Sequence, residues 1–171
     1  TSSEIAQMGS GGLLKEPQNR PLPRAQAAPP PAPTSQTSPR IAGLVLAAGQ
    51  SRRAGPKNKL LAEIDGTPLV RRTVGTVLAS RANPVTVVTG HDREAVESIL
   101  AGAGVATVYN PDHASGMASS LRTGVKALPP DIDGVVIVLA DMPELTAEVI
   151  DRLVAAFAPD QGAAICVPTW Q

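Results

Sequence analysis

From residue 41 onward the chain alternates between apolar, β-branched runs and segments with helical periodicity. The runs at 41–48, 84–89, 105–109, 134–140 and 163–167 predict strands, and their continuous apolarity predicts a sheet buried on both faces. Between them, Leu69, Thr73 and Val77 with Val70, Val74 and Leu78 form an i, i+4 stripe, with Thr67 expected as N-cap and Pro68 as first helical residue. Asp92 is the expected cap of a helix carrying Val96, Ile99 and Leu100. Met117, Leu121, Val125 and Leu128 form the predicted core face of a third helix, and Val149, Ile150, Leu153, Val154 and Phe157 that of a fourth. Strand and helix in regular alternation predict an α/β fold: three layers, a mainly parallel sheet and helices on both faces.

The first 40 residues have a different character. Residues 21–39 hold seven of the 17 prolines among Ala, Ser, Thr and Gln, and no apolar period offsets the entropy of ordering them. Residues 17–40 are therefore expected to be an extended linker, and residues 1–16 the remnant of a preceding domain. Thr1 at the start, and an end just after the apparent strand at 163–167, give the expectation of a fragment truncated at its C-terminal side.

Charge removes several classes of function. With 15 basic and 15 acidic residues the chain is formally neutral, so nothing global favours nucleic acid or a membrane surface. No apolar run reaches the length of a membrane span, and no basic-then-apolar leader opens the chain; the cytoplasm is the expected location. The single Cys166 cannot form an internal disulfide and reads as a core residue in a reducing compartment.

The candidate chemistry lies in three loops that follow strands, which a parallel sheet delivers to one edge. After Leu46-Ala47-Ala48-Gly49 come Gln50, Ser51 and four cations within eight positions, Arg52, Arg53, Lys57 and Lys59, a pattern suited to a polyphosphate. Five residues separate Gly49 from Gly55 and Pro56 follows, so this is not a Walker A loop. The spacing of a dinucleotide fingerprint is missing as well. Arg53 stands where a nucleophile elbow needs glycine, which leaves Ser51 as a turn residue. The second loop, Asn110 to Ser120, enters a helix through Gly116, Ser119 and Ser120, whose small side chains and free N–H groups suit a ribose, a base edge or a phosphate. His113 and His91 make no metal pair and read as surface hydrogen-bonders. In the third loop Asp141 follows the apolar strand; it is either a turn aspartate satisfied by N–H groups or, beside a basic loop, a ligand for a phosphate-bound Mg2+.

Leu46-Ala47-Ala48-Gly49-Gln50-Ser51-Arg52-Arg53-Ala54-Gly55, Lys59-Leu60-Leu61, Gly66-Thr67-Pro68-Leu69, Asn110-Pro111, Gly116-Met117-Ala118-Ser119-Ser120-Leu121 and Asp141-Met142-Pro143 resemble, in order, the motifs of MobA-like nucleotidyltransferases, most of all the molybdenum cofactor cytidylyltransferases. The resemblance runs from residue 41 to the end, making 41–171 the transferase domain. It implies transfer of CMP from CTP to the terminal phosphate of molybdopterin with release of pyrophosphate, and a molybdoenzyme as recipient of the product. It implies that the Leu46–Gly49 turn holds base and ribose, that Arg53 and Lys59 clamp the triphosphate as the catalytic cations, and that Asp141 ligates Mg2+. Ser51, Arg52, Asn110, Gly116, Ser119 and Ser120 complete the implied nucleotide site. Lys59, nine residues before Pro68, matches the family lysine. Ala54 replaces the usual methionine, and two later family segments associated with acceptor and metal are absent, so the expected acceptor pocket is partial. Residues 1–24 resemble the end of a molybdopterin-binding domain. The alternatives are a guanylyltransferase, a methylerythritol-phosphate or sugar-phosphate nucleotidyltransferase, and a nucleotide-binding module without turnover.

Overall fold

The structure, a computed structural model, describes residues 38–49, 58–158 and 165–168. The expected remnant at 1–16, nearly all of the linker, and the basic loop with Gln50, Ser51, Arg52, Arg53, Ala54, Gly55, Pro56 and Lys57 lie outside the described residues.

Four strands form the main sheet: β1 (Ile41–Ala47), β4 (Val85–Thr89), β5 (Ala106–Tyr109) and β6 (Gly134–Leu139), all parallel, in the spatial order β5-β4-β1-β6. Every residue of β1 and β4 is buried, as their unbroken apolar runs predict. Alternate side chains of each strand serve opposite faces. Val45, Ala47, Val85, Val87 and Val138 join one core with helices α1 (Leu69–Leu78), α2 (Arg93–Leu100) and α4 (Ala147–Ala156), which contribute Val70, Val74, Val77, Val96, Leu100 and Ile150. Leu44, Leu46 and Val88 face the other way, toward α3 (Met117–Lys126), with Leu121, Val135 and Leu139 packed against them. Helices on both faces of a parallel sheet give the three-layer α/β arrangement expected above.

Chain direction across the sheet reverses once. From β1 the chain steps outward through α1 to β4 and through α2 to β5, then α3 carries it back across the opposite face to β6, on the far side of β1. A reversal of this kind forces crossovers of constant hand onto opposite faces and opens a crevice at the carboxyl ends of β1 and β6.

Three local expectations are corrected. Thr67 and Pro68 do not begin α1. They form β3 and pair antiparallel with β2 (Glu63–Ile64), so Pro68 itself occupies the N-cap position. Asp65 (φ 52°) and Gly66 (φ 74°) make the two-residue turn between them, the left-handed pair that a tight hairpin needs. Asp92 holds the N-cap position of α2 but caps nothing with its side chain; its backbone is left-handed (φ 54°) and its carboxylate lies 3.5 Å from His91 Nε2. The apolar run at 163–167 forms no strand over its described residues. Ile165 and Val167 are exposed and Cys166 is only half-buried, so the cysteine is not a core residue.

The face of α3 is also not the expected one. Met117 (57 % exposed) and Val125 (50 %) point away from the core, while Ser119, Ser120 and Gly124 are buried. A Cβ on Gly124 would come within 2.5 Å of Leu44 Cδ1 and 2.8 Å of Val88 Cγ2. Small residues let the helix axis settle close to the sheet, with Leu121 packed beside them and Met117 and Val125 left outside the contact.

Candidate functional site

A cavity of about 420 Å3 opens at the carboxyl ends of β1 and β6, at the reversal point of the sheet. Its lining combines a charged pair, Lys59 and Asp141, with apolar or small residues, among them Ala48, Gly49, His113, Gly116 and Met117. The size suits a nucleotide-sized ligand, and the mixed lining suits one with an anionic and an apolar or aromatic part.

Asp141 is placed by the sheet itself. Leu46 pairs with Leu139, and Ala140 N donates to Leu46 O at 3.1 Å, so Asp141 emerges level with the Ala48-Gly49 turn. From α1, the buried Thr73 hydroxyl donates to Ala140 O at 3.0 Å and fixes the carbonyl next to Asp141. Sequence reasoning placed Thr73 in an apolar stripe; its hydroxyl is the signal that this position also has a polar task.

Lys59 lies in a single 3-10 turn, Lys59–Leu61. Asn58 caps that turn by accepting a hydrogen bond from Leu60 N at 3.0 Å, and Leu60 anchors it in the core. An asparagine before a short turn is a capping signal, and it is the one by which the sequence marks Asn58. Its own Nδ2 is buried with no partner among the described residues. The Lys59 ammonium donates to Asp141 Oδ2, which brings two predicted site residues, 82 positions apart, into direct contact.

The α3 side is built around Asn110, 1 % exposed at the end of β5. Its amide Nδ2 donates to Ser119 Oγ (2.9 Å) and Ser120 Oγ (3.0 Å), and its Oδ1 accepts from Asp112 N (3.0 Å). The Ser119 hydroxyl in turn lies 2.9 Å from Asp112 O and 2.8 Å from Gly116 O. Asn110 and Ser119 thus sit behind the cavity wall and hold it, whereas Gly116 and Ser120 line it. Gly116 (φ 111°) is the N-cap residue of α3 and supplies no side chain to satisfy the first-turn N–H groups. Those donors and the positive end of the helix dipole stand at the cavity. Ser115 hydrogen-bonds back to Asp112 O at 2.8 Å and does not cap α3.

His113 is corrected from a surface residue to a half-buried one in the cavity wall, its Nδ1 buried and without a partner among the described residues. Its ring lies 6.3 Å from that of His91. Gly90 makes this packing possible, because a Cβ there would meet His113 Cβ at 2.6 Å and Ala48 Cβ at 2.8 Å. Met117, expected in the core, also lines the cavity. Among the predicted residues, Leu46, Ala48, Gly49, Lys59, Gly116, Ser120 and Asp141 converge on the cavity, and the buried Ala47 belongs to the core on the α1 face. Ser51, Arg52 and Arg53 lie outside the described residues.

The described residues contain no group of three or more His, Cys, Asp or Glu able to hold a metal. Asp141 nevertheless fits a hard divalent cation, because its carboxylate lines a nucleotide-sized cavity where the other ligands would be phosphate oxygens and water.

Fold and site together define an α/β nucleotide-binding domain with its ligand crevice at the reversal point of a parallel sheet. The chain belongs to the MobA-like NTP transferase domain family, whose model matches residues 43–171. It is 37 % identical over 134 residues to the bifunctional protein GlmU of an Anaeromyxobacter strain, covering 75 % of this chain and 27 % of that protein. To the purine catabolism protein PucB of Bacillus subtilis it is 35 % identical over 134 residues, covering 74 % of this chain and 64 % of that one. Among solved structures, the Rv0371c protein of Mycobacterium tuberculosis matches with a TM-score of 0.62 at 28 % identity, covering 75 % of this chain and 62 % of that chain. A nucleotidyl transferase from Methanothermobacter matches with 0.61 at 30 %, covering 68 % and 57 %. The match thus spans about a quarter of GlmU and less than two thirds of PucB and of both solved chains.

Proposed function

We propose that the protein is a nucleotidyltransferase that moves CMP from CTP to a phosphorylated acceptor, molybdopterin or its molybdenum form, and releases pyrophosphate. The observation that carries the reading is the convergence of Lys59, Asp141, the Ala48-Gly49 turn and the α3 N-terminus on one cavity. No protein nucleophile is needed. An oxygen of the acceptor phosphate attacks the α-phosphorus, a new P–O bond forms as the bond to the β-phosphate oxygen breaks, and pyrophosphate leaves with the bonding pair.

This chain's residues act by position and charge. Base and ribose sit against the small residues Ala48, Gly49 and Gly116. The Lys59 ammonium, with Arg53 of the basic loop, offsets the negative charge that grows on the departing pyrophosphate. Asp141 would hold Mg2+, which would supply further stabilisation of the charge that grows on the phosphates. Family membership and a second Rv0371c structure, determined with manganese at 26 % identity, support a divalent cation in this role. The choice of CTP rests on the resemblance of the Ala47-Ala48-Gly49 turn to that of cytidylyltransferases, and the choice of acceptor on the resemblance of residues 1–24. Calorimetric titration is expected to give tighter binding of Mg-CTP than of Mg-GTP, and CTP-dependent pyrophosphate release is expected on adding molybdopterin. Equal or tighter GTP binding would contradict the nucleotide assignment, and release unaffected by molybdopterin would contradict the acceptor.

A further inference from the structure

We propose that Met117 is a reversible oxidation site: a peroxide converts its thioether to the sulfoxide, and the sulfoxide weakens nucleotide binding. The proposal rests on reading the cavity as the nucleotide site. Met117 lines the cavity at the first position of α3, directly after Gly116, and is 57 % exposed. A thioether that is both solvent-exposed and part of a ligand-facing wall is open to attack and placed to report it. Met142 is exposed as well (41 %), but it is not in the cavity lining among the described residues, and neither is Cys166. Met8, the chain's remaining methionine, lies outside the described residues.

Hydrogen peroxide is the only co-reactant needed. A sulfur lone pair attacks one peroxide oxygen, and the S–O bond forms as the O–O bond breaks. The departing hydroxide takes the proton of the new S–OH group and leaves as water, so sulfur loses two electrons and peroxide gains them. The product is polar and carries an oxygen that accepts hydrogen bonds, where the thioether was apolar. A ligand closing over it would bury that oxygen beside Ala114 and Gly116, which have no side-chain donor to offer. The α3 N-terminus has donors, because Gly116 leaves the first-turn N–H groups without a side-chain cap. Helical side chains lean toward the N-terminus of their helix, so the sulfoxide oxygen and an anionic ligand compete for the same open helix end. Burying an unpartnered acceptor lowers affinity by about tenfold. Met117 belongs to neither core cluster, so the fold does not depend on its oxidation state.

The test treats the whole chain with hydrogen peroxide, follows each methionine and Cys166 by peptide mass spectrometry, and measures Mg-CTP affinity by calorimetry before and after. Met117 sulfoxide should form, more slowly when Mg-CTP is bound, and should raise the dissociation constant by about tenfold at an unchanged melting temperature. Methionine sulfoxide reductases A and B together should restore the affinity, since each reduces one epimer. Met117→Leu should keep its own affinity through the same treatment, and Met117→Gln, which carries a permanent acceptor, should bind more weakly than wild type without any peroxide. A Met117 left unoxidised while Met142 is oxidised, an unchanged affinity in the sulfoxide, or an equal loss in peroxide-treated Met117→Leu would each overturn the proposal. Failure of untreated wild type to bind Mg-CTP would overturn the nucleotide reading itself, an outcome distinct from those three.

Discussion

Asn110→Ala is predicted to destabilise the domain by about 3 kcal/mol. The side chain makes three hydrogen bonds of 2.9–3.0 Å, two to Ser119 and Ser120 and one from Asp112 N, in a position that is 1 % exposed. Each such bond contributes about 1 kcal/mol net, and alanine supplies neither the donor nor the acceptor that its partners lose. Against a typical total of about 5–15 kcal/mol, this is a large fraction of the stability. Urea unfolding should show a lower midpoint at unchanged slope, and the melting temperature should fall by roughly 10 °C. Because the same bonds tie β5 to the start of α3, nucleotide affinity should fall too. Asn110→Asp keeps the acceptor but loses the donor and buries a carboxyl group, which raises its folded-state pKa. That variant should be most stable below about pH 4 and lose stability as pH rises, the opposite of a paired surface carboxylate. A loss below about 1 kcal/mol in Asn110→Ala would refute the view of this residue as the support of the cavity wall.

Thr73→Val keeps the shape and removes the bond to Ala140 O, so it should cost about 1 kcal/mol in urea unfolding and weaken nucleotide binding through Asp141, which it does not touch. Gly90→Ala forces a methyl group against His113 and Ala48, so it should cost about 1–3 kcal/mol by thermal unfolding and reduce nucleotide affinity more than Gly102→Ala, whose Cβ meets nothing but whose backbone is also strained. The Glu148 carboxyl is held below its usual value of 4.5 by its own backbone N–H and by the Thr146 hydroxyl. Its folded form is thus favoured when ionised, and the contribution is present above the ordinary glutamate range and lost as pH falls through the lowered value. Carbon-detected NMR titration should place its midpoint below 4.5, and Glu148→Gln should flatten the acid side of the stability profile.

The main sheet was readable because β1 and β4 are buried throughout a parallel sheet, which demands the unbroken apolar runs the chain carries at those positions, and β6 carries a similar run although only Val138 of it is buried. Loops after those strands must share an edge, and so Lys59 and Asp141 could be assigned to one site before their contact was known. The packing face of α3 was misread because periodicity weighs large apolar side chains, while the helix docks through Ser120 and Gly124, whose value lies in what they leave out. The β2–β3 hairpin carried an Asp65-Gly66 signal, overlooked because Thr67-Pro68 also matches a helix start. The hub role of Asn110 depends on partners nine and ten residues away and on a burial that no local pattern announces. The apolar run at 163–167 was read as a strand, and its described residues, 165–167, form none; apolarity permits a strand, but only a neighbouring strand makes one.

Hydrogen exchange of the protein with and without saturating Mg-CTP tests the central claim most directly, since it reports both whether the nucleotide binds and where. The account predicts new protection in the four segments that meet at the cavity, 46–49, 59–61, 113–120 and 139–141, together with the basic loop proposed to take the triphosphate. Protection centred instead on α2 and β5, or nucleotide binding with no change in those four segments, would contradict it.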